Sequence, residues 1–162
     1  MLYVGIDNGL NGGIVIVNGE TKTILSKFVM PVFKGKKTDY DIKSICEILE
    51  FLNPDDVRIV LEKAHVRPIS GKRASFMTGF GYGVIQGILE AKSLSYSIVS
   101  PKDWQQEILK GMNTGDTKKD SIMFCSRRYP KEDWRATERS KKLHDGLTDA
   151  CCMALYCEKI FN

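Results

Sequence analysis

Residues 2–18, LYVGIDNGLNGGIVIVN, hold two apolar, β-branched runs on either side of an Asn/Gly-rich turn. The runs at 2–7 and 12–18 have the composition of buried strands, and the turn between them favours antiparallel pairing. A third run, at 21–30, follows another Asn-Gly turn and extends the same meander. The amino-terminal part of the chain therefore predicts three antiparallel strands, with Asp7 at the end of the first.

Helix and strand alternate in the rest of the chain. A polar, Gly/Lys-rich stretch at 32–40 comes first, in which Asp39 can cap the next helix. Apolar positions at helical spacing over 42–52 precede a buried strand at 57–64, and a segment at 72–93 predicts a crossover helix before another strand at 95–100. Such a crossover makes the two strands parallel. Further helices are expected at 101–109, 118–126 and 143–161. This order predicts an α/β fold, a mixed sheet of three antiparallel and then parallel strands flanked by helices, and it resembles the RNase H-like fold.

Composition limits the class of protein. The chain has 162 residues, 43% hydrophobic and 27% charged, which predicts a single domain over 1–162. It contains neither a long apolar run nor a signal-like amino terminus, so we expect a cytoplasmic protein with no membrane partner. The five cysteines lack CxxC spacing and predict reduced packing residues. A zinc site is disfavoured because only two histidines are present and no ligand pair has finger-like spacing.

Positive charge is concentrated in one segment. Residues 127–142 hold seven basic and three acidic side chains, an excess equal to the whole chain's net charge of +4. With Tyr129 and Trp134 among them, these residues could neutralise phosphates and stack on bases. The alternative is an ordinary solvated face.

Four carboxylates occupy unusual places. Asp7 and Glu62 each end an apolar strand, and Asp145 and Asp149 lie one helical turn apart in HDGLTDA. An acid in such a strand is costly to bury unless it is paired, hydrogen-bonded or bound to a cation. Taken singly, an Asx turn, a strand-edge salt bridge and a helix cap would explain Asp7, Glu62 and Asp145. Jointly, the four predict a shared site.

The expected site suits a hard cation. The carboxyl ends of parallel strands meet at one edge of a sheet, where the helical acids could join them. Oxygen ligands without a required histidine or cysteine favour Mg²⁺, with Mn²⁺ as a substitute. Two ions about 4 Å apart would activate a water and stabilise the departing 3′ oxygen of a phosphodiester. No covalent protein intermediate is needed.

Three glycines recur at intervals of four in the predicted crossover helix. Gly79, Gly83 and Gly87 therefore share one helical face. That face could pack closely on its own sheet, or it could form a contact between two subunits. We favour the second alternative, a homodimer.

Several motifs in order resemble one family of nucleases. They are GIDNGLNGG, VLEKA, SGKRASFMTGFGYGVIQGIL, VSPKDW, TKKDS and HDGLTDACCMALY. Together they span nearly the whole chain and resemble the phage-type RuvC and chloroplast-type Holliday junction resolvases, which belong to the RNase H-like superfamily. The resemblance implies a Mg²⁺-dependent crossover junction endodeoxyribonuclease of DNA recombination and repair.

The resemblance also assigns roles to residues. Its catalytic metal ligands match Asp7, Glu62, Asp145 and Asp149, and Lys118 matches a basic residue that stabilises phosphoryl charge. It implies a homodimer that nicks symmetrically related strands of a four-way junction, leaving 5′-phosphate and 3′-hydroxyl ends. The DNA-binding residues expected from the resemblance and from the basic segment are His65, Arg67, Lys72, Arg73, Phe76, Lys119, Arg127, Arg128, Lys141 and Lys142.

The sequence departs from the family at two points. Asn8 stands where many relatives have proline, and Asp145 and Asp149 are four apart where the bacterial resolvases have a spacing of three. His144, beside the first helical acid, could bind metal or move a proton, but a helix-capping or exposed histidine is the commoner case.

Two other functions remain alternatives. GIDNGLNGG also resembles the first phosphate loop of actin-like and sugar-kinase ATPases. Those proteins close two such domains around a nucleotide, whereas this chain has the length of one. The other alternative is a non-catalytic module that binds branched DNA, which the four carboxylates disfavour.

Overall fold

The computed structural model describes residues 1–65 and 71–162. The strands are β1 (Leu2–Asp7), β2 (Gly13–Asn18), β3 (Ile24–Val29), β4 (Val32–Phe33), β5 (Asp39–Tyr40), β6 (Val57–Glu62) and β7 (Tyr96–Val99). The helices are α1 (Ile42–Glu50), α2 (Lys72–Ala91), α3 (Pro101–Ile108), α4 (Thr117–Arg128) and α5 (Asp145–Phe161), with a 3-10 turn at Pro54–Asp56.

Five strands form the main sheet in the order β3-β2-β1-β6-β7. The pairs β1–β2 and β2–β3 are antiparallel, whereas β1–β6 and β6–β7 are parallel. The predicted mixed sheet is therefore confirmed. In this register Ile6 faces Leu61 on the neighbouring strand, so Asp7 and Glu62 end their strands side by side.

Helices cover both faces of the sheet. Alternate side chains of β1, such as Val4 and Ile6, join a core with α1 and α2, while Tyr3 joins a second core with α3, α4 and α5. Helix α5 lies against β1 so closely that a Cβ on Gly5 would stand 2.0 Å from the carbonyl oxygen of Ala150. This close approach holds the helical acids beside the tip of β1.

Two local predictions need correction. No strand was predicted in the polar stretch at 32–40, but β4 and β5 pair there as a two-stranded ribbon. Helix α1 is capped by Asp41, whose Oδ1 accepts a hydrogen bond from the Ser44 amide at 3.1 Å, and not by Asp39. The side chain of Asp39 instead accepts from the Tyr40 amide.

The glycine face of α2 points away from the sheet. A Cβ added at Gly79, Gly83 or Gly87 would meet no atom of residues 1–65 or 71–162 within 4 Å, so the alternative of close packing on the chain's own sheet is wrong. Gly81 makes the close contact instead, because a Cβ there would lie 2.2 Å from the Tyr40 ring.

Four of the five cysteines pack in the second core, as predicted. Cys125, Cys151, Cys152 and Cys157 are buried and form no disulfide. Within the described ranges, no helix is both long and apolar enough to cross a membrane.

Candidate active site

The tips of β1 and β6 place two carboxylates next to each other. Asp7 Oδ1 accepts a hydrogen bond from the Gly9 amide at 3.0 Å, which is an Asx turn. Glu62 Oε1 accepts one from the indole Nε1 of Trp104 at 3.0 Å. Each carboxylate thus has one oxygen fixed by a protein donor.

Asn8 joins the two strand tips. Its Nδ2 donates to the carbonyl oxygen of Glu62 at 2.8 Å, and its own carbonyl oxygen accepts from the Tyr40 hydroxyl at 2.8 Å. Burial raises the pKa of Tyr40 to about 12, with the charges of Asp7 and Asp39 adding to the effect, so the hydroxyl keeps its proton and remains a donor. Proline at this position could not donate the side-chain bond.

The start of helix α5 packs in space against the turn that follows β1. A Cβ on Gly146 would lie 2.1 Å from the Asn11 carbonyl oxygen, so only glycine allows the approach. His144 caps the helix, because its Nδ1 accepts a hydrogen bond from the Leu147 amide at 3.2 Å. Burial lowers the pKa of His144, which favours the neutral imidazole that this cap requires.

Lys118 and Asp145 form an ion pair across the site. Asp116 caps α4 by accepting from the Lys118 amide, and so places Lys118 in the first turn of that helix. The hydrogen bond to Asp145 raises the pKa of Lys118. Burial opposes ionisation of Asp145, but the contact with Lys118 outweighs it and leaves the Asp145 pKa below its ordinary value.

The pKa values of the other three carboxylates are raised above those of ordinary acids. Burial, with the charge of Asp7 added, raises the pKa of Glu62 to about 7. Burial likewise raises the pKa of Asp149 to about 7, with the charges of Asp7, Glu62 and Asp145 adding to the shift. The pKa of Asp7 is raised, again chiefly by burial. Strongly perturbed acids that share a cleft are typical of functional sites.

All four carboxylates and Lys118 line one cavity of about 840 Å³. Within residues 1–65 and 71–162, no three acidic, histidine or cysteine side chains are grouped closely enough to hold a metal ion as they stand. The chemistry of the donor set nevertheless fits a hard cation. All four are carboxylates, and Asp149 Oδ1 is buried without a hydrogen-bond partner in the described part of the chain.

The expected DNA-binding residues lie around this cavity and beyond it. Arg73 lines the cavity, while its Nη2 also donates to the Thr38 carbonyl oxygen at 3.0 Å. Phe76 is 65% exposed and stacks on Phe80, so it is not a core residue. Exposed side chains are also found at His65, Lys72, Lys119, Arg127, Arg128, Lys141 and Lys142. Arg67 lies outside the described residues.

Base stacking by the aromatic residues of the basic segment is not supported. Trp134 is 2% exposed in the second core, and Tyr129 packs against it with a buried hydroxyl. The local sequence is charged, but these two rings fill the space beside α5. Arg135 is also partly neutralised, because its guanidinium pairs with Asp133.

Sequence patterns did not identify three residues that shape the site. Trp104 was noticed only as part of VSPKDW, Asn8 only as a departure from the family, and Tyr40 not at all. Their contacts join positions that are 42, 54 and 32 residues apart in the chain. The single available signal was a polar Asn8 directly after an apolar strand.

The sequence matches no protein-family model and no curated protein. Solved structures do share its fold. RuvC of Thermus thermophilus in complex with a Holliday junction substrate superposes with a TM-score of 0.62 at 15% identity, covering 96% of this chain and 91% of that one. A second structure of Thermus thermophilus RuvC has a TM-score of 0.60 at 17% identity, covering 98% and 96%.

A viral protein has the same architecture. The Fowlpox virus resolvase, in complex with substrate Holliday junction DNA, has a TM-score of 0.54 at 19% identity and covers 98% of both chains. At these identities the likeness is one of fold. The chain therefore has the RNase H-like α/β fold of RuvC-type resolvases, as its motifs predicted.

Proposed function

We propose that this chain is a divalent-metal-dependent endonuclease that resolves four-way DNA junctions. The observation that carries the proposal is the meeting of Asp7, Glu62, Asp145, Asp149 and Lys118 in one cavity. They come from two parallel strand tips and two helices, so rigid elements position them. The fold shared with resolvases bound to Holliday junctions supports this substrate.

The four carboxylates would hold the cations, Mg²⁺ or Mn²⁺ and two per site. Bound there, divalent ions lower the pKa of an attacking water and neutralise charge on the leaving oxygen. Glu62 and Asp149, with pKa values of about 7, are partly protonated at neutral pH. Both would lose a proton on becoming ligands, so cation binding should release protons.

Lys118 supplies the positive charge of the site from the protein itself. Its side chain is 66% exposed and lines the cavity, so it can reach a phosphate that enters there. In the free protein it is engaged by Asp145. A phosphodiester in the cavity would compete for this ammonium group, which would then stabilise charge on the phosphoryl oxygens. Symmetric incision would leave 5′-phosphate and 3′-hydroxyl ends.

Two active sites are needed to resolve a junction symmetrically, and the exposed face of α2 is our candidate for the subunit contact. Its glycines leave room for a second backbone, since a Cβ at Gly79, Gly83 or Gly87 meets no atom within 4 Å in the described part of the single chain. Small-residue faces permit close helix–helix approach. We place the homodimer axis there.

A cleavage assay tests the proposed function. Purified protein is incubated with an end-labelled four-way junction and with linear duplex of the same sequence, in Mg²⁺, Mn²⁺ or chelator. We expect paired symmetric nicks in the junction with either metal, none with chelator, and little cutting of the duplex.

Two charge-matched variants accompany the assay. Asp7→Asn should abolish cutting yet retain junction binding, whereas the exposed Asp55→Asn should cut normally. Binding without metal-dependent nicks would favour a non-catalytic module. Undiminished cutting by Asp7→Asn would refute the assignment of the site.

A further inference from the structure

A short basic ribbon stands at the rim of the cavity. Residues 32–40, the β4–β5 ribbon, carry Lys34, Lys36 and Lys37 against a single acid, Asp39. All three lysines are exposed, and none forms an ion pair with any residue in the described ranges. Three unpaired lysines within four positions make a local positive patch outside the basic segment at 127–142.

The ribbon is fastened to the active site. Tyr40, at the end of β5, is 4% exposed and donates its hydroxyl hydrogen bond to Asn8, the residue after Asp7. Arg73 at the start of α2 donates to the carbonyl oxygen of Thr38, and both Thr38 and Tyr40 line the cavity. A ligand that enters the cavity therefore passes next to the ribbon.

The ribbon and the four carboxylates border the same cavity, because Thr38 and Tyr40 line it together with the acids. The three lysines precede Thr38 in the ribbon within a few residues. Their positive charge offsets the repulsion that four carboxylates would otherwise exert on phosphates.

The ribbon presents an aromatic ring beside the lysines. Val32 packs toward the first core, and the next residue, Phe33, points outward and is 61% exposed. This alternation follows from the pleat of a strand. An exposed ring next to unpaired lysines is the combination that proteins use on nucleic acid where bases are unstacked.

We propose that the β4–β5 ribbon is a DNA-contacting element, in which Lys34, Lys36 and Lys37 bind backbone phosphates of one junction arm and Phe33 contacts bases at its open end. The proposal rests on the proposed function, since it takes branched DNA as the substrate. It adds an interaction surface that is separate from α2 and from the segment at 127–142.

The number of phosphate contacts can be measured through salt. Each phosphate neutralised by a protein contributes about 0.9 to the slope of log affinity against log salt concentration. Junction affinity is measured by fluorescence anisotropy in chelator, between about 50 and 200 mM salt. The triple variant Lys34→Ala/Lys36→Ala/Lys37→Ala should flatten the slope by about 2 to 3 and weaken binding at low salt.

A charge-matched triple variant separates local contact from net charge. Lys22, Lys92 and Lys159 pair with Glu158, Glu50 and Glu107, and none of these three lysines is among the residues that line the cavity. Replacing these three lysines with alanine lowers the net charge by the same amount as the ribbon variant does. The salt dependence of junction affinity should nevertheless keep the slope of the wild type. Phe33→Ala should weaken junction binding without changing the slope, because no charge is lost.

The outcomes distinguish the two proposals. An unchanged slope in the ribbon variant, or equal flattening in both triple variants, would overturn the ribbon proposal while cleavage by the wild type still stood. Failure of the wild type to bind or cut junctions would overturn the proposed function and the ribbon proposal with it. Circular dichroism confirms that each variant is folded.

Discussion

The indole Nε1 of Trp104 donates a 3.0 Å hydrogen bond to Oε1 of Glu62, and this contact joins α3 to the tip of β6. Trp104 is 1% exposed, so its ring cannot turn away. A capping box between Ser100 and Asp103 fixes the start of the helix that carries it. Glu62 thus presents its other oxygen to the cavity in a set orientation.

Replacement of Trp104 should impair the site more than the fold. In Trp104→Phe the ring volume is largely kept and the donor to Glu62 is lost. Groups that orient metal ligands typically contribute about 10- to 100-fold to metal affinity or activity. We expect a loss of that size in junction cleavage, with the Mg²⁺ concentration for half-maximal rate increased.

Trp134→Phe is the matched control. Trp134 is also buried, but its Nε1 has no hydrogen-bond partner in the described part of the chain. Its replacement removes an unsatisfied donor and should leave cleavage unchanged. Equal effects of the two substitutions on cleavage would contradict a specific role for the Trp104–Glu62 bond.

Asn8→Ala should loosen the two strand tips. The substitution removes the donor to the part-buried Glu62 carbonyl oxygen, which costs about 1 kcal/mol. Urea denaturation in chelator measures the loss. The exposed Asn113→Ala provides the comparison and should be neutral. An Asn8→Ala protein as stable as Asn113→Ala would show that the bond contributes nothing.

Asp149→Asn should stabilise the metal-free protein at alkaline pH. Because burial raises the pKa of Asp149 to about 7 in the fold, folding favours the protonated acid. The free energy of unfolding therefore falls as pH rises from about 4 to about 7, and this penalty persists above that range. Asparagine avoids it, so the variant should gain on the order of 2 kcal/mol at pH 8 and little at pH 4.

Thermal or urea unfolding in chelator checks the pH effect. Glu62 has a similarly raised pKa and adds to the same trend in the wild type. Asp55→Asn, at an exposed position, should follow the wild-type curve at every pH. An Asp149→Asn variant that is less stable than the wild type at pH 8 would mean that the ionised Asp149 carboxylate does not destabilise the fold.

Gly83→Leu should change association without changing the fold. A Cβ at this position meets no atom within 4 Å among the described residues of the single chain, so the monomer can accept a side chain there. If α2 forms the subunit contact, leucine would separate the helices, and sedimentation should show monomers. Ala91→Leu, exposed at the end of α2, should leave the wild-type state. A Gly83→Leu dimer would place the interface elsewhere.

Periodicity in the sequence identified the elements that have strong local patterns. The meander, the parallel pair and the terminal helix follow from apolar runs and turns, and the strand-end positions of Asp7 and Glu62 follow with them. The β4–β5 ribbon was missed because strands of two residues carry no periodic signal. The burial of Trp134 was missed because it depends on packing against distant residues.

The sequence predicted which acids form the site better than it predicted the contacts that these acids make. Four acids at special positions indicated a shared site, since each is costly to bury alone. The ion pair of Lys118 with Asp145, the Asn8 bridge and the Trp104 bond depend on the three-dimensional register of separate elements. The structure shows His144 as a helix cap, one of the commoner roles expected for it, because it directly precedes the helical pattern of α5 in the sequence.

The central claim is that four carboxylates share divalent cations, and anomalous diffraction from crystals grown in Mn²⁺ tests it most directly. We predict one or two Mn²⁺ peaks in contact with Asp7, Glu62, Asp145 and Asp149, and their loss in Asp7→Asn. Crystals at saturating Mn²⁺ with no peak among these side chains, in a protein that still cuts junctions, would contradict the account.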